Sequence, residues 1–133
     1  MSVIVVPVAN LEHGREAVTR AKEEARRSGA EIVIVGATKV SGNLLANVEA
    51  LRELIELLEK ELLDEGVQCR TIWRVGESLA DAALEVANDL EAELIVTNLR
   101  RRTPVGKAVL GSYEQTILLE TNCPVLALPV DPW

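Results

Sequence analysis

Four short, nearly all-apolar and mostly β-branched runs punctuate the chain, at residues 3–8, 32–37, 94–97 and 125–130. Runs of this kind are expected of parallel strands covered on both faces. A fifth candidate, residues 67–75, alternates more and carries Arg70 and Arg74, which predicts an edge strand with one wet face. Helical spacing fills the gaps. Residues 12–28 place Ala17, Val18, Ala21 and Ala25 on one face and stop at Ser28-Gly29. Residues 44–65 place Leu51, Leu54, Ile55, Leu58 and Leu62 on one face, with acids opposite, and stop at Gly66. Residues 78–91 start at a Ser78 cap and carry Leu79, Ala82, Ala83, Val86 and Leu90. Residues 112–121 start at Ser112 and carry Thr116, Ile117 and Leu119.

The order β-α-β-α-β-α-β-α-β predicts an α/β fold. It is a single three-layer domain over residues 1–133, a five-stranded parallel sheet with right-handed crossovers and helices on both faces. Eight such units would be needed for a closed barrel, and the chain is too short for that. Open sheets of this kind bind ligands beyond the carboxyl ends of their strands, at the switch point of strand order. Those ends are Val8-Ala9-Asn10, Gly36-Ala37-Thr38 and Thr97-Asn98-Leu99.

Charge narrows the partners. The formal net charge of −7 argues against nucleic acid and anionic membrane. Only three aromatics are present, Trp73, Tyr113 and Trp133, too few for a base-stacking platform. The charge is uneven, however. Between Glu93 and Glu114 there are no acids, only Arg100, Arg101, Arg102 and Lys107, so the remainder carries −11. This basic island follows the fourth strand, where the fold class binds ligands, and a small anion is the negatively charged partner it permits. Cys69 and Cys123 lie far apart in apolar surroundings and read as buried thiols in a reducing compartment. The amino-terminal residues lack the features of a signal peptide, and no apolar run reaches the roughly 20 residues of a membrane span. The expectation is a cytoplasmic protein.

Catalytic constellations are scarce. The single histidine, His13, reads as an ordinary surface residue, and no Ser or Cys has an evident base partner. Glu49, Glu53, Glu56, Glu59 and Glu61 on the second helix read as a solvated face rather than a metal site. A phosphoryl-accepting receiver would need acids where Ala9-Asn10 and Gly76-Glu77 stand. Gly106-Lys107 fails as a P-loop, because Arg101 replaces its first glycine and Ala108 its Ser/Thr.

The segment from Leu94 to Val130 is the most informative. A strand enters the basic loop, Gly111-Ser112 opens a helix, and Cys123-Pro124-Val125-Leu126 begins a closing strand. With the opening strand 3–8 and the turn Gly76-Glu77-Ser78, this order resembles the universal stress protein family over nearly the whole chain. The resemblance implies a Rossmann-like sheet of the adenine nucleotide alpha hydrolase type, strand order 3-2-1-4-5. It also implies a cytoplasmic stress-response regulator that binds ATP or another adenine nucleotide without significant turnover, with magnesium only if ATP is bound.

Carried over residue by residue, the family's glycine loop G-x2-G-x9-G-S/T is altered here. Its first two glycines become Asn98 and Arg101, while Gly111 and Ser112 survive at the same spacing. Asn98 tolerates a left-handed backbone better than most residues. Arg101, with Arg102 and Lys107, offers cations to phosphate where the glycine offered close backbone approach. The family's Asp after the first strand becomes Ala9, Pro7 and Val8 match the apolar floor, and Ala37 falls where the chain packs on adenine. Tyr113 is expected to pack on the sheet or flank the ligand. The bland alternative is that Ser112 and Gln115 form a capping box and that the arginines are solvated. Glu114, already favourably placed at the helix start, would repel a phosphate. The last strand is apolar at a sheet edge, and the resemblance implies an antiparallel homodimer through Cys123, Val125, Leu126, Ala127, Leu128 and Val130; Pro124, Pro129 and Pro132 oppose pairing along part of it. Two other readings stand beside the first: a nucleotide-independent homodimeric interaction domain of the same fold, and a slow ATP hydrolase.

Overall fold

The computed structural model describes residues 1–38, 45–102 and 109–130. Strand β1 (Val3–Pro7) leads through helix α1 (Gly14–Ser28) to β2 (Glu31–Thr38). Then come α2 (Leu45–Asp64), β3 (Cys69–Val75), α3 (Leu79–Asp89) and β4 (Leu94–Arg102). A two-residue strand β5 (Val109–Leu110), helix α4 (Ser112–Glu120) and β6 (Val125–Val130) complete the fold. The five long strands form one parallel sheet in the order β3-β2-β1-β4-β6. Counted without the short β5, this is the expected 3-2-1-4-5.

Side-chain alternation along the strands divides the core into two layers. Ile4, Val6, Ile32, Ile34 and Val96 face α1 and α2, where Ala17, Val18, Ala21, Ile55 and Leu58 close over them. Val3, Val5, Val33, Val35 and Ile95 face α3 and α4, meeting Ala82, Ala83, Val86 and Ile117. Helix α1 ends at Gly29, whose φ of 76° lies in the left-handed region and whose N–H donates to the Ala25 carbonyl at 2.8 Å. Helix α3 starts where Ser78 Oγ accepts from the Asp81 N–H at 3.2 Å. Arg15 to Glu61 at 2.5 Å and Lys22 to Glu65 at 3.2 Å join α1 to α2 across their exposed rims. The Arg15 guanidinium, chiefly through that hydrogen bond, holds Glu61 below the usual carboxylate range.

Four expectations need correction. The fourth strand does not end at Thr97. It runs through Arg102, because Asn98, Leu99 and Arg100 stay in register with Leu128, Pro129 and Val130 and because Arg101 and Arg102 pair antiparallel with Leu110 and Val109. Three arginines of the basic island therefore lie on a strand rather than in a loop. Gly111, not Ser112, is the cap of α4, and Ser112 is its first helical residue. No side chain caps that end, and the Gln115 amide donates instead to the Leu110 carbonyl at 2.9 Å. Leu119 is 81% exposed, so Ile117 alone of the expected apolar face anchors α4. Cys69 is buried as expected, and burial pushes its thiol up to about 12, which keeps it protonated at neutral pH. Cys123 is only half-buried.

Candidate functional site

The switch point falls between β1 and β4, since β2 and β3 lie to one side of β1 and β4 and β6 to the other. There the ends of the strands open a cleft of two compartments. One, of about 220 Å³, is lined by Pro7, Ala9 and Asn10 after β1, Thr97, Asn98 and Arg100 on β4, Gly111 through Glu114 at the start of α4, His13 and Val130. The other, of about 320 Å³, is lined mostly by Val8, Ala9, Ala37, Leu79 and Ala80. Ala9, Ser112 and Tyr113 line both, so the two compartments adjoin there. The larger volume reaches the range of small-molecule sites, roughly 300 to 1,000 Å³, and the smaller falls short of it alone.

The larger compartment is apolar and suits a flat heteroaromatic group. The smaller one is polar, and its hydrogen bonding is incomplete. Asn98 donates through Nδ2 to the His13 carbonyl at 2.6 Å, which turns Oδ1 into the protein, where it is buried without a partner. His13 accepts at neither ring nitrogen from another residue: Nδ1 lies 3.1 Å from Glu16 Oε1, and Nε2 is buried without a partner. In the neutral ring, Nδ1–H donating to Glu16 leaves Nε2 as an acceptor. Asn98 Oδ1 and His13 Nε2 are both buried, and no partner among the described residues meets either. Thr97 Oγ1 and Tyr113 Oη share a hydrogen bond of 2.7 Å, which fixes the tyrosine ring against the α3/α4 layer. Burial raises the Tyr113 phenol above its ordinary range.

Of the residues expected at a nucleotide site, Pro7, Ala9, Asn98, Gly111, Ser112 and Tyr113 line the polar compartment. Val8 and Ala37 join Ala9, Ser112 and Tyr113 around the apolar one. Arg101 and Arg102 are described only as strand backbone, and Lys107 lies outside the described residues. The sequence places Asn10 and Thr97 at the ligand-binding strand ends and Arg100 in the basic island; what sequence reasoning missed is His13, Ser78 and Leu79. His13 was the most misleading, for a lone histidine at a helix start carries no spacing signal. What places it is the Asn10 side chain, whose Oδ1 accepts from the His13 N–H at 3.0 Å and bends the chain back over the end of β4.

The Universal stress protein family model matches residues 1–129. A universal stress protein of Mycolicibacterium smegmatis is 35% identical over 126 residues, covering 95% of this chain and 96% of its own. The chain belongs to the universal stress protein family. Solved structures agree with the fold. A universal stress protein from Archaeoglobus fulgidus superposes with a TM-score of 0.81 at 25% identity, covering 96% of this chain and 98% of its own. A universal stress protein from the same organism in complex with dAMP gives 0.75 at 22% identity, over 96% and 97% of the two chains.

Proposed function

We propose that this universal stress protein binds an adenine nucleotide or nucleoside in the switch-point cleft and acts as a regulatory, cytoplasmic protein without significant turnover. The observation that carries this reading is that an apolar compartment and a polar one adjoin at the switch point, with Ala9, Ser112 and Tyr113 lining both. In this reading adenine lies between Val8, Ala37 and Leu79. The sugar passes Ala9 toward Asn10 and His13. The Gly111-Ser112 backbone at the start of α4 is the place for a phosphate, since helix amides without intrahelical partners point there. The dAMP complex of the Archaeoglobus relative supports an adenine ligand for the shared fold.

A thermal-shift series tests the reading. Adenosine and AMP should raise the melting temperature while guanosine and GMP do not, and a ligand at a hundred times its Kd adds about 2.7 kcal/mol. Equal responses to adenine and guanine, or none to either, would contradict it.

We also propose that the protein is a homodimer. Among the described residues β6 pairs on one side only, with β4, and Val125, Leu126, Ala127 and Leu128 stay half-exposed. A second copy laid antiparallel along residues 123–130 would cover them. Light scattering should give twice the chain mass; the mass of one chain at working concentration would sink the proposal. The nucleotide-independent interaction domain is the second reading, and the loss of the family's aspartate at Ala9 is the observation that favours it.

A further inference from the structure

The start of α4 already holds an anion of the protein's own. Glu114 is the third residue of that helix and only 9% exposed, the one carboxylate buried in the core among the described residues. Its Oε1 lies 2.8 Å from where a Cβ on Gly111 would sit, so the carboxylate rests against the backbone of the helix cap. Its Oε2 accepts from the Arg100 N–H at 3.4 Å. A glutamate at this helical position reaches back to the cap and takes up the positive end of the helix itself. A Cβ on Gly111 would press on this carboxylate, the movable end of the Glu114 side chain.

We infer that Glu114 sets the charge of the ligand: the cleft takes adenosine or a monophosphate in preference to ATP. This rests on the nucleotide reading above. Among the described residues of the polar compartment Glu114 is the one carboxylate, and Arg100 meets it through its backbone N–H. A chain of phosphates entering beside Gly111 meets a like charge in a partly dry site, where repulsion is weakly screened. A neutral sugar, or one phosphate kept at the solvent side of Ser112, avoids that conflict.

Calorimetric titration of the full chain with adenosine, AMP, ADP and ATP, in EDTA to remove magnesium, tests this. The wild type should bind adenosine and AMP with similar Kd and ATP at least about tenfold more weakly. Glu114→Gln keeps the shape and the Arg100 contact while removing the charge. It should tighten ATP about tenfold and leave adenosine within about twofold. ATP bound more tightly than AMP by the wild type would overturn the inference. So would a Glu114→Gln variant that changes all four ligands alike, since that is the effect of altered structure. Adenosine binding with an unmoved ATP affinity in the variant removes the role of Glu114 and leaves the nucleotide reading intact. Absence of binding by all four ligands to both proteins removes the nucleotide reading and this inference with it. Should the variant fail to fold, the wild-type ranking of adenosine, AMP and ATP decides alone.

Discussion

Gly36→Val is expected to destabilise the fold by about 3 kcal/mol and to lower Tm by about 10 °C. Gly36 is buried on β2, directly across from Trp73 on β3. A Cβ at this position would lie 2.3 Å from Trp73 Cζ3, 2.4 Å from Cε3 and 3.0 Å from Ile55 Cδ1. The indole ring thus covers the glycine face, held beneath the Arg52 guanidinium at 4.7 Å from the ring centroid. Valine forces the ring outward and strips its contacts with the α2 layer, a loss greater than the strand propensity valine adds. Chemical denaturation of a double-mutant cycle isolates the cause. In a Trp73→Ala background the same Gly36→Val change should cost under about 1 kcal/mol, a coupling of about 2 kcal/mol. An equal cost in both backgrounds would show that the ring is not what makes residue 36 a glycine.

The second large effect is on binding. Ala37→Trp should weaken adenosine at least about a hundredfold while moving Tm by only a few degrees. Ala37 is half-buried at the end of β2, past the fully covered part of the strand, and lines the apolar compartment opposite Leu79. An indole there fills the space assigned to adenine, and its apolar bulk finds Val8, Leu79 and Ala80 as neighbours. The fold therefore tolerates what the ligand does not. A titration of the variant with adenosine, beside a melting curve, separates the two. Unchanged adenosine affinity in a folded Ala37→Trp protein would place the base elsewhere.

Much of the architecture was legible because its signals are local and repeated. Val3–Pro7 and Glu31–Thr38 are covered on both faces, so their sequence is apolar almost throughout. The faces of α1 and α2 show plainly, since Ala17, Val18, Ala21, Ile55, Leu58 and Leu62 are all buried at helical spacing. The end of β4 was not legible. Arg100, Arg101 and Arg102 look like a loop, yet pairing with Val130, Leu110 and Val109 holds them extended, and nothing in their own composition reports those partners. A two-residue strand such as Val109–Leu110 has no period to detect.

The site was legible in outline and not in its chemistry. The strand ends and Gly111-Ser112 marked where the cleft is. The orientation of Asn98, which hides its Oδ1, depends on the His13 carbonyl 85 residues away in sequence, and no spacing rule carries that. Glu114 could be placed in the first turn of α4 from sequence, but its place against Gly111 and the Arg100 N–H, 14 residues back in the chain, could not.

The central claim is that the cleft recognises adenine. Its most direct test is a calorimetric titration of the purified, nucleotide-free protein with adenosine and, in parallel, with guanosine. The account predicts saturable binding of one adenosine per chain and no measurable heat from guanosine; no saturation at millimolar adenosine, or equal affinity for the two, would contradict it.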